Sequence, residues 1–295
     1  MTGAVLSRRK SRQIHLGEVA VGNGAHISVQ SMATTDTRNI EACIDELRAL
    51  GAAGCQIVRV AVVDMQAARS LGLIRLGIKT PLVADIHFDY KLALEALKQG
   101  IDGLRINPGN IGAKYKVEEV VRAAQERRIP IRIGVNAGSI EKDLLEKHGA
   151  PTAEAMVESA WRHIHILEDL NYLEMKISLK STHVPTALAA YRALGSQCDY
   201  PLHLGITEAG TLLSGSVKSA LGMGALLLEG IGDTLRVSLA AESIEEVKVG
   251  HLLLRFLDLE KEGLEFVACP TCGRCSHEMI PMALRIEKEL MKLPM

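Results

Sequence analysis

No apolar run in this 295-residue sequence is long enough to span a membrane. The first residues, MTGAVLSRRKSRQIHLG, also lack the apolar core of a secretory signal. Charge of one sign is not in excess, because 34 Lys and Arg stand against 35 Asp and Glu. This balance argues against nucleic acid or a membrane as partner, and we interpret the basic residues 8–12 as a solvated tail.

Cysteine is scarce, and its distribution does not suggest a disulfide framework. Of the six cysteines, Cys43, Cys55 and Cys198 are scattered through apolar surroundings and are expected to be small core residues. The sequence therefore predicts a protein of the reducing cytoplasm.

Short runs rich in β-branched residues alternate with helix-period segments along most of the chain. The runs are residues 27–32, 55–62, 82–86, 103–107, 131–136, 175–180, 202–207 and 234–239. Eight such units predict an α/β fold, a (β/α)8 TIM barrel. A doubly wound open sheet is the alternative, but no G-x-G-x-x-G follows the first strand. We assign residues 1–258 to the barrel, and residues 259–295 to a connector and a segment that contains three cysteines.

Four of the predicted strands carry an arginine between two apolar residues: Arg59, Arg105, Arg132 and Arg236. Because strand side chains alternate, each arginine should face the barrel interior if its neighbours face the helices. Lys176, Ser178 and Lys180 share one face of the sixth strand by the same period. So much buried positive charge predicts a phosphorylated ligand. In the alternative, barrel carboxylates pair with the arginines, and the available ones are Asp85, Glu208 and Asp233.

Other polar residues follow the strands at their carboxyl ends, where barrel enzymes place their chemistry. They are Asp85, His87, Asn107, Asn110, Asn136, Thr207 and Glu208. Each alone could be a helix cap or a turn residue. His203 lies inside a strand and is expected to be a core histidine.

The chain approaches its last residues with ACPTCGRCSHE, which places Cys269, Cys272 and Cys275 at two-residue spacing. This spacing matches the first three ligands of a bacterial ferredoxin, but the fourth position is Met279. A zinc site would need partners elsewhere, and no second C-x-x-C or H-x3-H occurs. The segment predicts a metal site, iron–sulfur ahead of zinc, that is incomplete as written.

A series of longer motifs runs through the chain in a fixed order: VQSM, VRV, VADIHFDY, LRINPGNIG, IPIRIGVNAGSIEKDL, HLGITEAG, EGIGDTLRVSL and ACPTC. In these motifs the sequence resembles the 4-hydroxy-3-methylbut-2-enyl diphosphate synthase family, from about Ser7 to Cys272. The resemblance implies an oxidoreductase of non-mevalonate isoprenoid biosynthesis. This enzyme reductively opens 2-C-methyl-D-erythritol 2,4-cyclodiphosphate, and flavodoxin or ferredoxin supplies the electrons.

The resemblance also implies a 4Fe–4S cluster, a homodimer and a set of site residues. Cys269 and Cys272 would be the first two cluster ligands, whereas Cys275 has no family counterpart. The remaining ligands lie in a GC-x-VNGPGE-like motif that this sequence lacks. The resemblance therefore implies the barrel portion of the enzyme, followed in residues 259–295 by the start of a small iron–sulfur domain that is cut short. The implied diphosphate ligands are Arg59, Arg105, Arg132, Lys180 and Arg236, with Asn107 and Asn136 orienting the substrate. Asp85, His87 and Glu208 would position the reacting end or move protons.

Two alternatives stay open at this point. One is a non-redox barrel that binds a phosphorylated or pterin-like ligand, as dihydropteroate synthase barrels do. The other is an inactive or partner-dependent barrel fragment.

Overall fold

Ten strands and eleven α-helices make up residues 7–290, the part of the chain described by this computed structural model. The strands are β1 (Ile14–Leu16), β2 (Val19–Val21), β3 (Ser28–Met32), β4 (Ile57–Ala61), β5 (Leu82–Asp85), β6 (Gly103–Ile106), β7 (Ile131–Asn136), β8 (Met175–Lys180), β9 (His203–Leu204) and β10 (Thr234–Leu235). The helices are α1 (Ile40–Ala52), α2 (Met65–Gly77), α3 (Tyr90–Lys98), α4 (Pro108–Ile111), α5 (Lys114–Arg127), α6 (Lys142–His148), α7 (Ala153–Asp169), α8 (Val184–Gln197), α9 (Leu212–Leu228), α10 (Ser243–Phe256) and α11 (Met279–Leu290).

Strands β3 to β10 form one parallel sheet that closes on itself. The order is β8–β7–β6–β5–β4–β3–β10–β9, and a bridge between Ile177 and Leu202 joins its two ends. The predicted (β/α)8 barrel is therefore confirmed, and each predicted run carries one barrel strand. The last two strands are shorter than predicted. Gly205 follows β9, and glycine weakens a strand because it has no side chain to pack.

Helices cover the outside of the barrel by burying one face against its strands, and α1 is an example. Helix α1 starts after Asn39, whose side chain accepts a hydrogen bond from the Ala42 amide. Its buried residues Cys43, Leu47 and Leu50 recur at helical spacing and join the main core against the strands. The expectation that Cys43 is a small core residue is thus confirmed.

A hairpin that the sequence reading did not predict closes the amino-terminal end of the barrel. Strands β1 and β2 pair in antiparallel fashion around Gly17, whose φ is +54°. Ile14, Leu16 and Val21 of the hairpin pack against Ile57 and Val83, which point down the barrel interior. The end opposite the carboxyl edge is therefore sealed by apolar side chains.

The interpretation of residues 8–12 as a solvated tail is wrong for Arg9. Its guanidinium donates to the carbonyl oxygens of Cys198 and Tyr200, at 2.6 and 2.5 Å, and lies 3.5 Å from the Asp233 carboxylate. Asp233 also accepts from Ser11 Oγ at 2.7 Å. Arg9 of the basic cluster therefore stabilises the loop between α8 and β9, because carbonyl oxygens without a strand or helix partner need hydrogen-bond donors.

After α10 the chain leaves the barrel core. Helix α11 has no buried residue. No helix within residues 7–290 combines the length and the apolar character needed to cross a lipid bilayer. The boundary near residue 258 remains a prediction.

Candidate active site

Five basic side chains from four strands converge inside the barrel. Arg59 on β4, Arg105 on β6, Arg132 on β7, and Lys176 and Lys180 on β8 are all at least nine-tenths buried. The residues on either side of each arginine belong to the hydrophobic core that faces the helices. Strand alternation thus directs the basic side chains inward.

Asp85 is the carboxylate around which this group is organised. It lies 3.0 Å from Arg105 Nη1, 3.6 Å from Arg59 Nε and 3.5 Å from His87 Nε2. Burial acts to raise the pKa of Asp85, but Arg59, His87 and Arg105 outweigh burial and hold that pKa well below its usual value. Asp85 is therefore ionised and fixes two guanidinium groups and one imidazole.

In the described part of the chain, no carboxylate forms an ion pair with Arg132 or Lys180. Nε and Nη1 of Arg132 are buried without a hydrogen-bond partner. Burial lowers the pKa of Arg132, and Arg59 and Arg105 lower it further. Burial likewise lowers the pKa of Lys180, with Arg132 and Arg236 adding to the effect. Both groups are held in a conformation that an anion would stabilise.

Arg236 differs from the other arginines because a helix carboxylate holds it. Its Nε and Nη2 both donate to Glu246 at 3.2 Å. Glu246 also accepts from Ser31 Oγ at 2.9 Å and from the Leu239 amide at 3.0 Å. Helix α10 thereby ties Arg236 to β3 and to the loop after β10.

The alternative that carboxylates pair with the arginines is therefore partly right. Asp85 does pair with Arg59 and Arg105, as considered from the sequence. Asp233 instead pairs with Arg9 at the opposite end of the barrel. Within residues 7–290 Glu208 forms no ion pair, and Glu246 was not foreseen.

Two glycines that the sequence analysis did not single out, Gly134 in β7 and Gly205 just after β9, leave space for the basic side chains. A Cβ at Gly134 would lie 2.7 Å from Arg105 Nε, and one at Gly205 would lie 2.7 Å from Lys180 Nζ. Any larger residue would displace these side chains. The signal was available, since glycine inside a predicted strand marks a close approach.

The remaining predicted site residues lie on the loops at the carboxyl edge. Asn107 is buried after β6, and its Nδ2 donates to Ser139 Oγ at 3.3 Å. Asn136 ends β7 and is half-buried, whereas the His87 side chain is 53% exposed. Glu208 is exposed at φ +50°, a left-handed conformation that costs a non-glycine residue energy. His203 is buried as expected, with Nδ1 3.0 Å from Thr234 Oγ1.

The cysteine segment does not form a cluster site with the residues described. Cys269, Cys272 and Cys275 are exposed free thiols. A hydrogen bond from Arg274 lowers the pKa of Cys272, which favours the thiolate that metals bind. However, residues 7–290 contain no group of three or more His, Cys, Asp or Glu placed to hold a metal. These donors alone do not fit a 4Fe–4S cluster, which needs at least three fixed ligands.

Comparison with solved structures shows the barrel fold. Dihydropteroate synthase from Xanthomonas albilineans superposes with a TM-score of 0.58 over 84% of this chain and 99% of that one, at 13% identity. A truncated 3-deoxy-D-arabino-heptulosonate 7-phosphate synthase from Thermotoga maritima gives the same TM-score at 11% identity, over 84% of this chain and 91% of that one. At such low identity the likeness concerns the fold alone.

Comparison of sequences is far more specific. The profile of the GcpE TIM-barrel domain matches residues 11–251. The 4-hydroxy-3-methylbut-2-en-1-yl diphosphate synthase (flavodoxin) of Geobacter sulfurreducens is 60% identical, over 96% of this chain and 80% of the relative. The protein of that name from Thermodesulfovibrio yellowstonii is 56% identical, over 97% of this chain and 82% of the relative. The chain therefore belongs to the 4-hydroxy-3-methylbut-2-en-1-yl diphosphate synthase family.

Proposed function

We propose that this chain is the substrate-binding barrel of a 4-hydroxy-3-methylbut-2-en-1-yl diphosphate synthase in the non-mevalonate isoprenoid pathway. The reaction is the reductive ring opening of 2-C-methyl-D-erythritol 2,4-cyclodiphosphate, with flavodoxin or ferredoxin as electron donor. The excess of buried positive charge carries this proposal. Apart from Lys176, which lies deeper, five basic side chains converge in the barrel, Arg236 among them, and Asp85 and Glu246 are the carboxylates that meet them in the described residues. A doubly charged cyclic diphosphate supplies the missing negative charge.

The basic residues divide into two kinds of diphosphate ligand. Arg59, Arg105 and Arg236 are already oriented by carboxylates, so they lose little freedom when the substrate binds. Arg132 and Lys180 are unpaired by carboxylates and supply the net attraction. Asn107 and Asn136 lie at the rim and would orient the ring through hydrogen bonds.

Proton handling falls to groups at the mouth of the barrel. The ring opening consumes two electrons and two protons: the ring oxygen leaves carbon as part of the diphosphate, and a hydroxyl group leaves as water and needs a proton. Glu208 is an exposed carboxyl on this edge, and His87 is a half-exposed imidazole whose Nε2 is 3.5 Å from Asp85. We assign proton transfer to Glu208 and His87. Asp85 is then the group that holds His87 and the two arginines in position.

A homodimer is part of the same proposal. Helix α9 exposes Leu213, Val217, Leu221 and Leu228, which lie on one side of the helix at intervals of four and seven. A monomer rarely leaves such a stripe uncovered. We expect a second copy of the chain to cover this stripe.

The six cysteines are all free thiols, which is consistent with a reducing cytoplasm as the compartment of the protein.

Calorimetry and iron counting test the proposal. The 295-residue chain should bind the cyclodiphosphate, and Arg132→Met should weaken this binding. Anaerobic reconstitution with iron and sulfide should leave few irons bound, because the described cysteines do not bring enough ligands together. About four irons per chain, lost in Cys275→Ser, would show that Cys275 completes the cluster. A chain that binds a pterin but no cyclodiphosphate would favour the non-redox alternative.

A further inference from the structure

A second group of buried polar side chains lies deeper in the barrel than the residues assigned to the substrate. It consists of Ser28 and Gln30 on β3, Lys176 on β8 and His203 on β9, here called the lower polar cluster. Each of these residues is at most 2% exposed. The mechanism proposed above uses none of them.

Strand register brings the lower polar cluster together. Strands β8, β9, β10 and β3 are consecutive around the closed barrel. His203 is level with Thr234, and Thr234 is level with Ser28. Ile177 is level with Leu202, so Lys176 lies two residues below the level of His203 on the neighbouring strand. All four side chains alternate inward from the residues that face the helices.

The polar atoms of this cluster have no hydrogen-bond partner. These atoms are Lys176 Nζ, Gln30 Nε2 and Oε1, His203 Nε2 and Ser28 Oγ, all fully buried. Lys176 is also level with Arg132, whose Nε and Nη1 are likewise unmet. A buried polar group without a partner costs on the order of 1–3 kcal/mol, so native proteins rarely leave several together. Most of the unmet groups are donors, and no ion pair within residues 7–290 includes Lys176.

A diphosphate at the mouth does not satisfy these donors. Lys176 lies four residues before Lys180, which corresponds to about 13 Å along a strand. Below the cluster, the apolar hairpin residues Ile14 and Leu16 seal the barrel. A partner for the charged form of Lys176 must therefore be small, enclosed and negatively charged.

We propose that the lower polar cluster is a separate binding site for a small inorganic monoanion of the chloride type. One such ion accepts hydrogen bonds from the Lys176 ammonium, the Gln30 amide and the His203 ring at the same time. It also offsets the repulsion between Lys176 and Arg132 on neighbouring strands. Without an anion, Lys176 would instead be a neutral amine that contacts water molecules. Burial favours this neutral state because it lowers the pKa of Lys176, and Arg132 and Arg59 lower that pKa further.

Bromide serves as the probe. Crystals of the 295-residue chain grown in sodium bromide should show an anomalous peak beside Lys176 Nζ and Gln30 Nε2. The thermal midpoint should rise with bromide at constant ionic strength, because the ion binds the folded state alone. Lys176→Met should abolish both effects, whereas Lys180→Met, four residues higher, should keep them.

Binding of the cyclodiphosphate separates this site from the substrate site. Lys176→Met should stay within about threefold of the parent affinity, while Lys180→Met should lose about tenfold or more. If Lys176→Met does not fold, Gln30→Leu should still remove the bromide peak. Water alone beside Lys176, or an equal loss of cyclodiphosphate affinity in the two lysine variants, would overturn the proposal. Failure of all cyclodiphosphate binding would instead overturn the proposed function.

Discussion

Replacing Arg132 and Arg236 by methionine should separate ligand binding from stability. Both are expected to hold the diphosphate, but their surroundings differ. Arg132 has two buried N–H groups without a partner, whereas Arg236 donates twice to Glu246. A charge-assisted hydrogen bond contributes about 1.5–3 kcal/mol. Each variant should therefore weaken cyclodiphosphate binding by about tenfold to a hundredfold.

Stability should move in different directions in the two variants. Arg132→Met removes an unpaired buried charge, so the free energy of unfolding should stay constant or rise. Arg236→Met leaves Glu246 buried with only Ser31 and the Leu239 amide as donors. Breaking a buried ion pair in this way costs about 3–5 kcal/mol.

Urea unfolding without ligand and calorimetry with the cyclodiphosphate measure the two effects. The reasoning is refuted if Arg132→Met lowers the free energy of unfolding as much as Arg236→Met does and still binds normally. Arg132 would then be a structural residue whose partner lies elsewhere.

Three further changes have expected outcomes. Gly205→Ala places a Cβ 2.7 Å from Lys180 Nζ and should weaken cyclodiphosphate binding in calorimetry, whereas Gly138→Ala, with nothing within 4 Å, should not. Glu208→Gln, in an enzyme with a complete cluster domain, should keep substrate affinity but lower turnover about 10²-fold; unchanged turnover would leave Glu208 only an electrostatic role. Burial opposes ionisation of Glu141, but His163, 3.0 Å away, the Glu141 backbone amide and the Ser159 hydroxyl together outweigh burial and lower the pKa from 4.5 to about 2. The unfolded carboxyl binds protons first as pH falls, so the free energy of unfolding should drop between pH about 5 and about 2.5. Glu141→Gln should flatten that part of the curve in urea titrations, and a parallel curve would contradict the assignment.

The barrel was predictable because its strand signal is local. Runs such as residues 131–136 and 175–180 carry alternating inward polar and outward apolar side chains, and the structure keeps these bounds. The hairpin was missed although its signal is present. Apolar residues alternate in Ile14–Leu16 and Val19–Val21, and a two-residue turn beginning with glycine connects them.

Pairing inside the barrel was less predictable because it depends on distant parts of the chain. Asp85 ends the strand between those of Arg59 and Arg105, so adjacency in the sheet gives their contact. Glu246 gives no comparable signal. An acidic residue in the first turn of a helix is normally interpreted as a partner of the helix dipole. Only the turn between β10 and α10 directs its carboxylate to Arg236.

The division between paired and unpaired cations explains how one barrel can both attract and orient a diphosphate. Arginines fixed by Asp85 and Glu246 keep their geometry before the ligand arrives, which lowers the cost of binding. Their charges are largely offset by these carboxylates, so they add little long-range attraction. Arg132 and Lys180 supply the net charge, at the expense of stability in the empty barrel. Both kinds of cation should therefore contribute to affinity, the unpaired ones through their net charge and the paired ones through their preset geometry, which also fixes the position of the reacting bond.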